Sequence, residues 1–312
     1  MALTERPSLS PFAPMVGVLS RSARLIGANG TTTAGGIIVL LVLAAAVFAP
    51  LVAPYDPVQV VIQDKLQPPS ALHWLGTDQA GRDIFSRLVW GTRASLTVSL
   101  FAVAIGLFCG VVVGLFAAHV SGTLLEQIIM RIIDAIASIP LLIWAIAVIG
   151  IVGVAPVMVG PFELRNTHKL MLVIGLLYTP TLARITHAVA QGEMVSEYVK
   201  ARRVQGASSI SIMVGDVLPN SMSPLIVQAT LLVAIGIVVE ASVSFVGLGV
   251  QPPTPSWGAM LADARSYVFS GEWWMPLFPG LAISLTVIGF NLLGDGLRDI
   301  LDPRRATGGL LQ

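Results

Sequence analysis

The stretch EYVKARRVQGASSISIMVGDVLPN, Glu197–Asn220, decides how the rest of the chain is read. It is a long polar interruption in a membrane-like sequence. It holds Glu197, Lys200, Arg202, Arg203 and Asp216 before an apolar run resumes near Pro224. Connections between packed elements are usually short, and long ones tend to carry function. A charged, partly helical loop of this length is suited to docking on something outside the bilayer.

Composition agrees with a bilayer setting. Hydrophobic residues make up 55% of the 312 and charged residues 11%, against about 25% charged in soluble domains. The chain is therefore read as an all-α polytopic membrane protein, in contact with lipid. The net charge of +1 gives no support to a nucleic-acid partner. The single cysteine, Cys109, lies in an apolar run, so no internal disulfide is expected and the thiol reads as a small packing residue. Residues Met1 to Gly30 are polar and basic (Arg6, Arg21, Arg24) and lack the apolar core of a cleaved signal peptide.

A helix needs about 20 apolar residues to cross the hydrocarbon core. Six candidates fit: Ala34–Val52, Ser95–Ala118, Ile133–Val154, Lys169–Ala190, Pro224–Gly247 and Pro276–Leu293. Pro140 and Pro156 interrupt the third. With the N-terminus in the cytoplasm, inside segments hold eleven Lys and Arg residues and outside segments seven. This bias and the even number of spans place both termini and Glu197–Asn220 in the cytoplasm. The segments are then 1–33 (cytoplasmic), 34–53 (first membrane helix), 54–93 (external cap), 94–295 (five-helix core with the loop 196–220) and 296–312 (cytoplasmic tail).

Prolines at 54, 57, 68 and 69 exclude one long helix from the cap Pro54–Arg93. Turns and short interfacial helices are expected there, with Trp74 and Trp90 at the membrane interface. The second external segment, Gly249–Pro276, has the same character, with Pro252, Pro253, Pro255, Trp257, Trp273 and Trp274. In span two, Gly106, Gly110 and Gly114 share one face and let another helix approach closely. Packing within the subunit and a subunit interface both fit them. Glu240 lies inside span five, and an acid there is costly enough to need a partner or a cavity. It reads first as a hydrogen-bonded structural group and second as a pathway residue.

Enzyme chemistry finds no support. The lysines are Lys65, Lys169 and Lys200, and none follows a glycine as a phosphate-binding P-loop requires. His73, His119, His168 and His187 lack zinc-protease spacing, and no metal site is expected. No G-x-S-x-G elbow occurs.

Within the opening stretch, Ser196 is a suitable N-cap and Glu197 suits the first turn of a helix. Gly206 is placed to end it. The helix spans about nine residues, roughly 14 Å at 1.5 Å each. Pro219 and Pro224 mark the return to the membrane. Such a helix, tied at both ends to spans, can pass a push from a partner into spans four and five. An idle amphipathic loop resting at the headgroups fits the same residues equally well.

The order of acid, small-residue pair, glycine and Leu-Pro resembles the EAA loop of bacterial ABC importer permeases. LGTDQAGRDIFSRLVWGTRASL (Leu75–Leu96), SFVGLGVQPPTPSWGAML (Ser244–Leu261) and NLLGDGLRDILDPR (Asn291–Arg304) resemble the dipeptide/oligopeptide (DppC/OppC-like) branch. The resemblance runs from Phe48 to Arg305. It implies a type I importer core formed by the last five spans, with span one outside them. It also implies a homologous second permease subunit, two ATPase subunits or one fused ATPase, and an extracytoplasmic substrate-binding protein. No cofactor is expected on this chain, since ATP and magnesium would sit on the ATPases. The location implied is the bacterial inner (plasma) membrane.

By the same resemblance, Glu197, Tyr198, Lys200, Ala201, Arg202, Arg203, Gly206, Ala207, Asp216 and Pro219 form the ATPase-coupling site. Asp78, Arg82, Asp83, Pro252, Pro253 and Trp257 become contacts for the binding protein. Two departures stand out. The family usually has a second alanine where this chain has Arg202, and a basic pair where it has Gly215-Asp216. The expectation that follows is an ATPase offering an acid or an open edge opposite Arg202. The implied function is peptide import, with glutathione, nickel or a peptide-like compound as alternative cargo. An ion-driven secondary transporter resting on Glu240 and a passive structural subunit are the competing classes.

Overall fold

The computed structural model describes residues 30–301. The expected cytoplasmic segment before residue 30 and the tail beyond residue 301 lie outside the described residues. The described chain is helical apart from turns and one small hairpin. Its helices are α1 (Gly30–Val47), α2 (Ala49–Val52), α3 (Ile84–His119), α4 (Leu124–Ala137), α5 (Leu141–Val152), α6 (Asn166–Met194), α7 (Glu197–Val204), α8 (Ser209–Ile212), α9 (Leu218–Phe245), α10 (Trp257–Ala264) and α11 (Trp274–Leu301). Five helical stretches are long and apolar enough to cross a membrane, and the bent pair α4–α5 makes a sixth crossing if counted as one span.

The span limits differ from the sequence expectation in instructive ways. Span two begins at Ile84 rather than Ser95. Its first turns carry Arg87 and Arg93, whose charge had suggested loop. Asp83 starts the helix by accepting from the Ser86 amide at 2.8 Å, a standard N-cap. Span five extends backwards through a π-helical turn, Met213–Val217, to Ser209. Pro219 has no N–H to offer and its ring crowds the carbonyl four residues back. The widened turn upstream accommodates it.

Span three is broken. α4 and α5 meet at 84°. Pro140 is the N-cap of α5, and the residue before a proline avoids helical backbone. A carbonyl left free at such a kink needs a donor, and Trp144 Nε1 supplies one to Ile136 O at 3.1 Å. Beyond α5, β1 (Val157–Val159) pairs antiparallel with β2 (Phe162–Leu164). Buried Lys169 closes the end of α5 by donating to Gly153 O at 2.8 Å and Ala155 O at 2.6 Å.

The glycines of span two face span four of the same chain. A Cβ at Gly106 would meet Tyr178 Cβ at 2.7 Å, and one at Gly110 would meet Leu182 Cβ at 2.5 Å. Gly114 abuts Thr186 in the same way. Lipid is as apolar as leucine, so close van der Waals packing holds such helices together. The subunit-packing alternative is therefore the observed one. Span one lies outside this core. It packs on α11, where a Cβ at Gly35 would lie 2.7 Å from Leu292 Cβ, and it exposes Leu40, Leu41 and Val47.

Candidate functional site

Polar residues gather at the two ends of the helix bundle. At one end the segments before α3 and around α10 pack on each other as a single cap. Trp274 Nε1 donates to Thr77 O at 3.2 Å, and Trp257 Nε1 donates to Leu88 O at 3.0 Å. Asp78 accepts from Arg82 Nε at 2.7 Å and from Arg87, while Asp263 on α10 pairs with both arginines at 3.2 and 3.3 Å. Asp83 caps α3 and accepts from His73 Nδ1 at 3.0 Å.

This corrects part of the expected binding-protein surface. Asp78, Asp83 and Trp257 are buried in their own subunit and brace the cap. Arg82 is half-buried and committed to Asp78 and Asp263. Pro252 and Pro253, joined by a cis peptide, are exposed. The interface expectation for the tryptophans divides similarly. Trp74 is exposed against Phe85, with ring centroids 5.0 Å apart, whereas Trp90 is half-buried under the Arg93 guanidinium at 5.2 Å.

Glu240 is fully buried where α3 and α9 meet. The Ser95 and Ser244 hydroxyls each donate to its carboxyl at 2.7 Å. Both carboxyl oxygens therefore have a hydroxyl partner within this chain. These bonds fit the reading of Glu240 as a hydrogen-bonded structural group.

At the other end lies α7. Its eight residues are too few to be stable alone in water, so tertiary contacts must hold it. Ser196 stands at the N-cap, yet its hydroxyl donates to Glu193 O at 2.6 Å instead of capping the helix. The C-terminal end is as expected. Gly206 takes φ +82°, and across it the Ala207 amide donates to Arg202 O at 3.1 Å while the Gly206 amide donates to Arg203 O at 3.0 Å. This is a Schellman closure, which needs the left-handed residue that glycine supplies.

Val199 is the anchor that the sequence reading missed. It packs inward against Ala118 of α3, Ala190 of α6 and Ile212, Met213 and Val217 at the root of span five, with Ala207 alongside. A single inward-facing valine in an eight-residue helix gives no periodicity from which to predict this. The outward face carries Glu197, Lys200, Ala201, Arg203 and Val204, and Val204 is 90% exposed. Lys200 pairs with Glu197 at 2.8 Å within the helix. Pro219 is exposed at the start of α9.

The two departures from the family pattern meet each other. Arg202 Nε donates to Asp216 Oδ2 at 3.1 Å. Arg202 therefore has an acidic partner within its own chain. A chain of hydrogen bonds continues from there. Asn220 Nδ2 donates to Asp216 O at 2.8 Å and to the Tyr198 hydroxyl at 3.2 Å, and that hydroxyl donates to Glu193. Partial burial, with the Glu193 carboxylate beside it, holds the Tyr198 phenol above its usual pKa. The phenol therefore remains a donor.

A bundle of membrane helices with a short exposed helix slung between two of them defines a multi-pass membrane protein. The chain belongs to the family described as binding-protein-dependent transport system inner membrane component, whose model matches residues 110–307. A second model, the N-terminal TM domain of oligopeptide transport permease C, matches residues 28–69.

The di/tripeptide transport system permease protein DppC of Pseudomonas aeruginosa is 42% identical over 304 residues, which cover 96% of this chain and 95% of that one. The glutathione transport system permease protein GsiD of Pectobacterium atrosepticum is 40% identical, with 87% and 86% covered. The probable D,D-dipeptide permease DdpC of Escherichia coli is 39% identical, with 88% and 87% covered. Among solved structures, the inward-facing MetNI methionine ABC transporter matches with a TM-score of 0.54 at 20% identity, over 70% of this chain and 98% of that one. That likeness supports the fold.

Proposed function

We propose that this chain is one of two permease subunits of an ATP-driven importer of dipeptides and short oligopeptides, forming half of the translocation path. The observation that carries the importer reading is α7. It is a short helix that exposes Ala201, Arg203 and Val204 and is anchored through Val199 to spans two, four and five. Such a helix converts a push from outside the bilayer into movement of spans. In this reading it docks on an ATPase subunit, which binds ATP and magnesium and performs the hydrolysis. The opposite cap, with exposed Pro252 and Pro253, receives a substrate-loaded binding protein. Both termini and α7 then face the cytoplasm, and the membrane is the bacterial inner membrane.

Peptide cargo is supported by relatives of about 40% identity whose names give di/tripeptide and D,D-dipeptide transport. Glutathione, itself a tripeptide, is the alternative that GsiD supports. Glu240, on which an ion-driven mechanism would rest, is fully buried with both carboxyl oxygens engaged.

The test is uptake of labelled dipeptide and labelled glutathione by cells with and without this gene. Dipeptide uptake that depends on the gene, stops on ATP depletion and survives an uncoupler is the expected result. Gene-dependent uptake that an uncoupler abolishes while ATP is intact would overturn the ATP-driven reading. Uptake of glutathione alone would overturn the cargo.

A further inference from the structure

The inward face of α7 is fixed at two points one turn apart. Val199 sits in the apolar cluster, and Arg202, three residues on and therefore on the same side of the helix, reaches Asp216. One apolar contact leaves a short helix free to roll and swing about it, and the joint beyond α7 is pliable. Gly206 takes a left-handed conformation and residues 205, 206 and 208 are exposed. Asp216 lies within the π turn at the root of span five, one residue after Gly215 and three before Pro219. Segments of this kind are where helices bend most readily.

We propose that Arg202 is a positioning residue rather than an ATPase contact. Its pairing with Asp216 clasps the coupling helix to the π turn, so that displacement of α7 is delivered to α9 instead of being lost in the glycine joint. The inference rests on the coupling role proposed above.

The surrounding network fits a clasp. The Asp216 carbonyl is bound by Asn220, Asn220 by Tyr198, and Tyr198 by Glu193 at the end of span four. Span four, α7 and span five are thereby joined in one hydrogen-bonded path. The electrostatics point the same way. Lys200 is matched by Glu197 and Arg202 by Asp216. Arg203 has no acidic partner among the described residues, and its guanidinium donates to the Met194 sulfur at 3.9 Å. It is the cation of α7 left for a partner. A partly exposed ion pair adds little to global stability, so the effect of this one lies in orientation.

The test uses charge reversal in the full chain in lipid nanodiscs: Arg202→Asp, Asp216→Arg and the double variant. Hydrogen exchange across residues 198–205 is read first. Each single variant speeds it about fivefold, the factor corresponding to one lost contact, and the double returns it to within about twofold of the parent. The second reading is ATP hydrolysis by the ATPase that co-purifies with the chain. Its kcat falls in both single variants and recovers in the double, with KM for ATP unchanged.

Single variants that exchange at the parental rate, or a double no better than the worse single, overturn the clasp. A double that restores exchange but not turnover overturns the claim that Arg202 is not an ATPase contact. If the variants show the expected exchange pattern but the parent chain retains no ATPase, the importer reading fails and the clasp stands.

Discussion

The two polar ends of this molecule carry similar residues and use them oppositely. At the cap end, Asp78 and Arg87 are 4% and 5% exposed and pair with one another. At the coupling end, Glu197 and Lys200 are 90% and 58% exposed. Both segments read in the sequence as charged loops awaiting a partner. Only one keeps its charges in water. A buried ion pair is weak evidence of net stabilisation, but removing one member strands the other without solvent. An exposed pair contributes little either way. The cap is therefore a brace within the subunit, and the coupling loop is a surface.

The sharpest way to break this contrast is to remove one charge from each end. Asp78→Ala leaves the buried Arg87 guanidinium with only the half-exposed Asp263 at 3.3 Å, and the expected loss is about 3–5 kcal/mol. Lys200→Ala is expected to cost less than about 1 kcal/mol. Thermal unfolding in detergent micelles measures both. Equal melting temperatures for the two variants would end the distinction between brace and surface.

A second test addresses the body that joins the ends. Gly110→Val drives a side chain into Leu182 and is expected to cost at least about 1–3 kcal/mol through overpacking. Gly36→Ala, where no atom lies within 4 Å, is expected to gain about 0.5–1 kcal/mol. The same melting assay reads the pair, and a Gly110→Val protein as stable as the parent would mean that α3 and α6 are not held by this contact.

These contrasts explain what was legible in the sequence. Six apolar runs, the short helix after Ser196 and its glycine stop follow from length and local chemistry, which the residues state directly. Exposure is not stated there. Asp78, Asp83 and Trp257 look like surface residues because their partners, Arg87, His73 and the Leu88 carbonyl, become neighbours only after the cap folds. Ile84–Arg93 reads as loop because it is charged, and the pairing of Arg87 with Asp78 and Asp263 in the cap overrides that local signal. Pro140 announces a break, but the 84° between α4 and α5 depends on packing. The hairpin at Val157–Leu164 is too short for its alternation to register. Arg202 and Asp216, fourteen residues apart, each look like a defect alone and match only across the turn.

Glu240 separates a third pair of expectations with a smaller effect. Both carboxyl oxygens accept from serine hydroxyls. Glu240→Gln keeps the shape but replaces one acceptor with an amide donor, so one hydroxyl must turn away. The expected cost is about 1 kcal/mol, read as a modest fall in melting temperature with ATP-dependent uptake retained. Loss of uptake at unchanged stability would show that the acid serves transport rather than packing.

The smallest expected change in stability falls on the outermost residue of the coupling helix. Val204 is 90% exposed and touches none of the residues that anchor α7. Val204→Asp should therefore stay within about 0.5 kcal/mol of the parent, as surface substitutions usually do. The same change replaces an apolar side chain with a carboxylate on the exposed face that would enter the ATPase groove. Burying an unpaired charge at an interface is costly, so co-purification of the ATPase with the permease should collapse although the permease itself is intact. Val199→Asp is the inverse case, because it buries the charge inside the subunit and should destabilise the permease whether or not an ATPase is present. If Val204→Asp retained its ATPase, the exposed face of α7 would not be the docking surface, and the contrast between the two ends would reduce to a difference in burial without a difference in role.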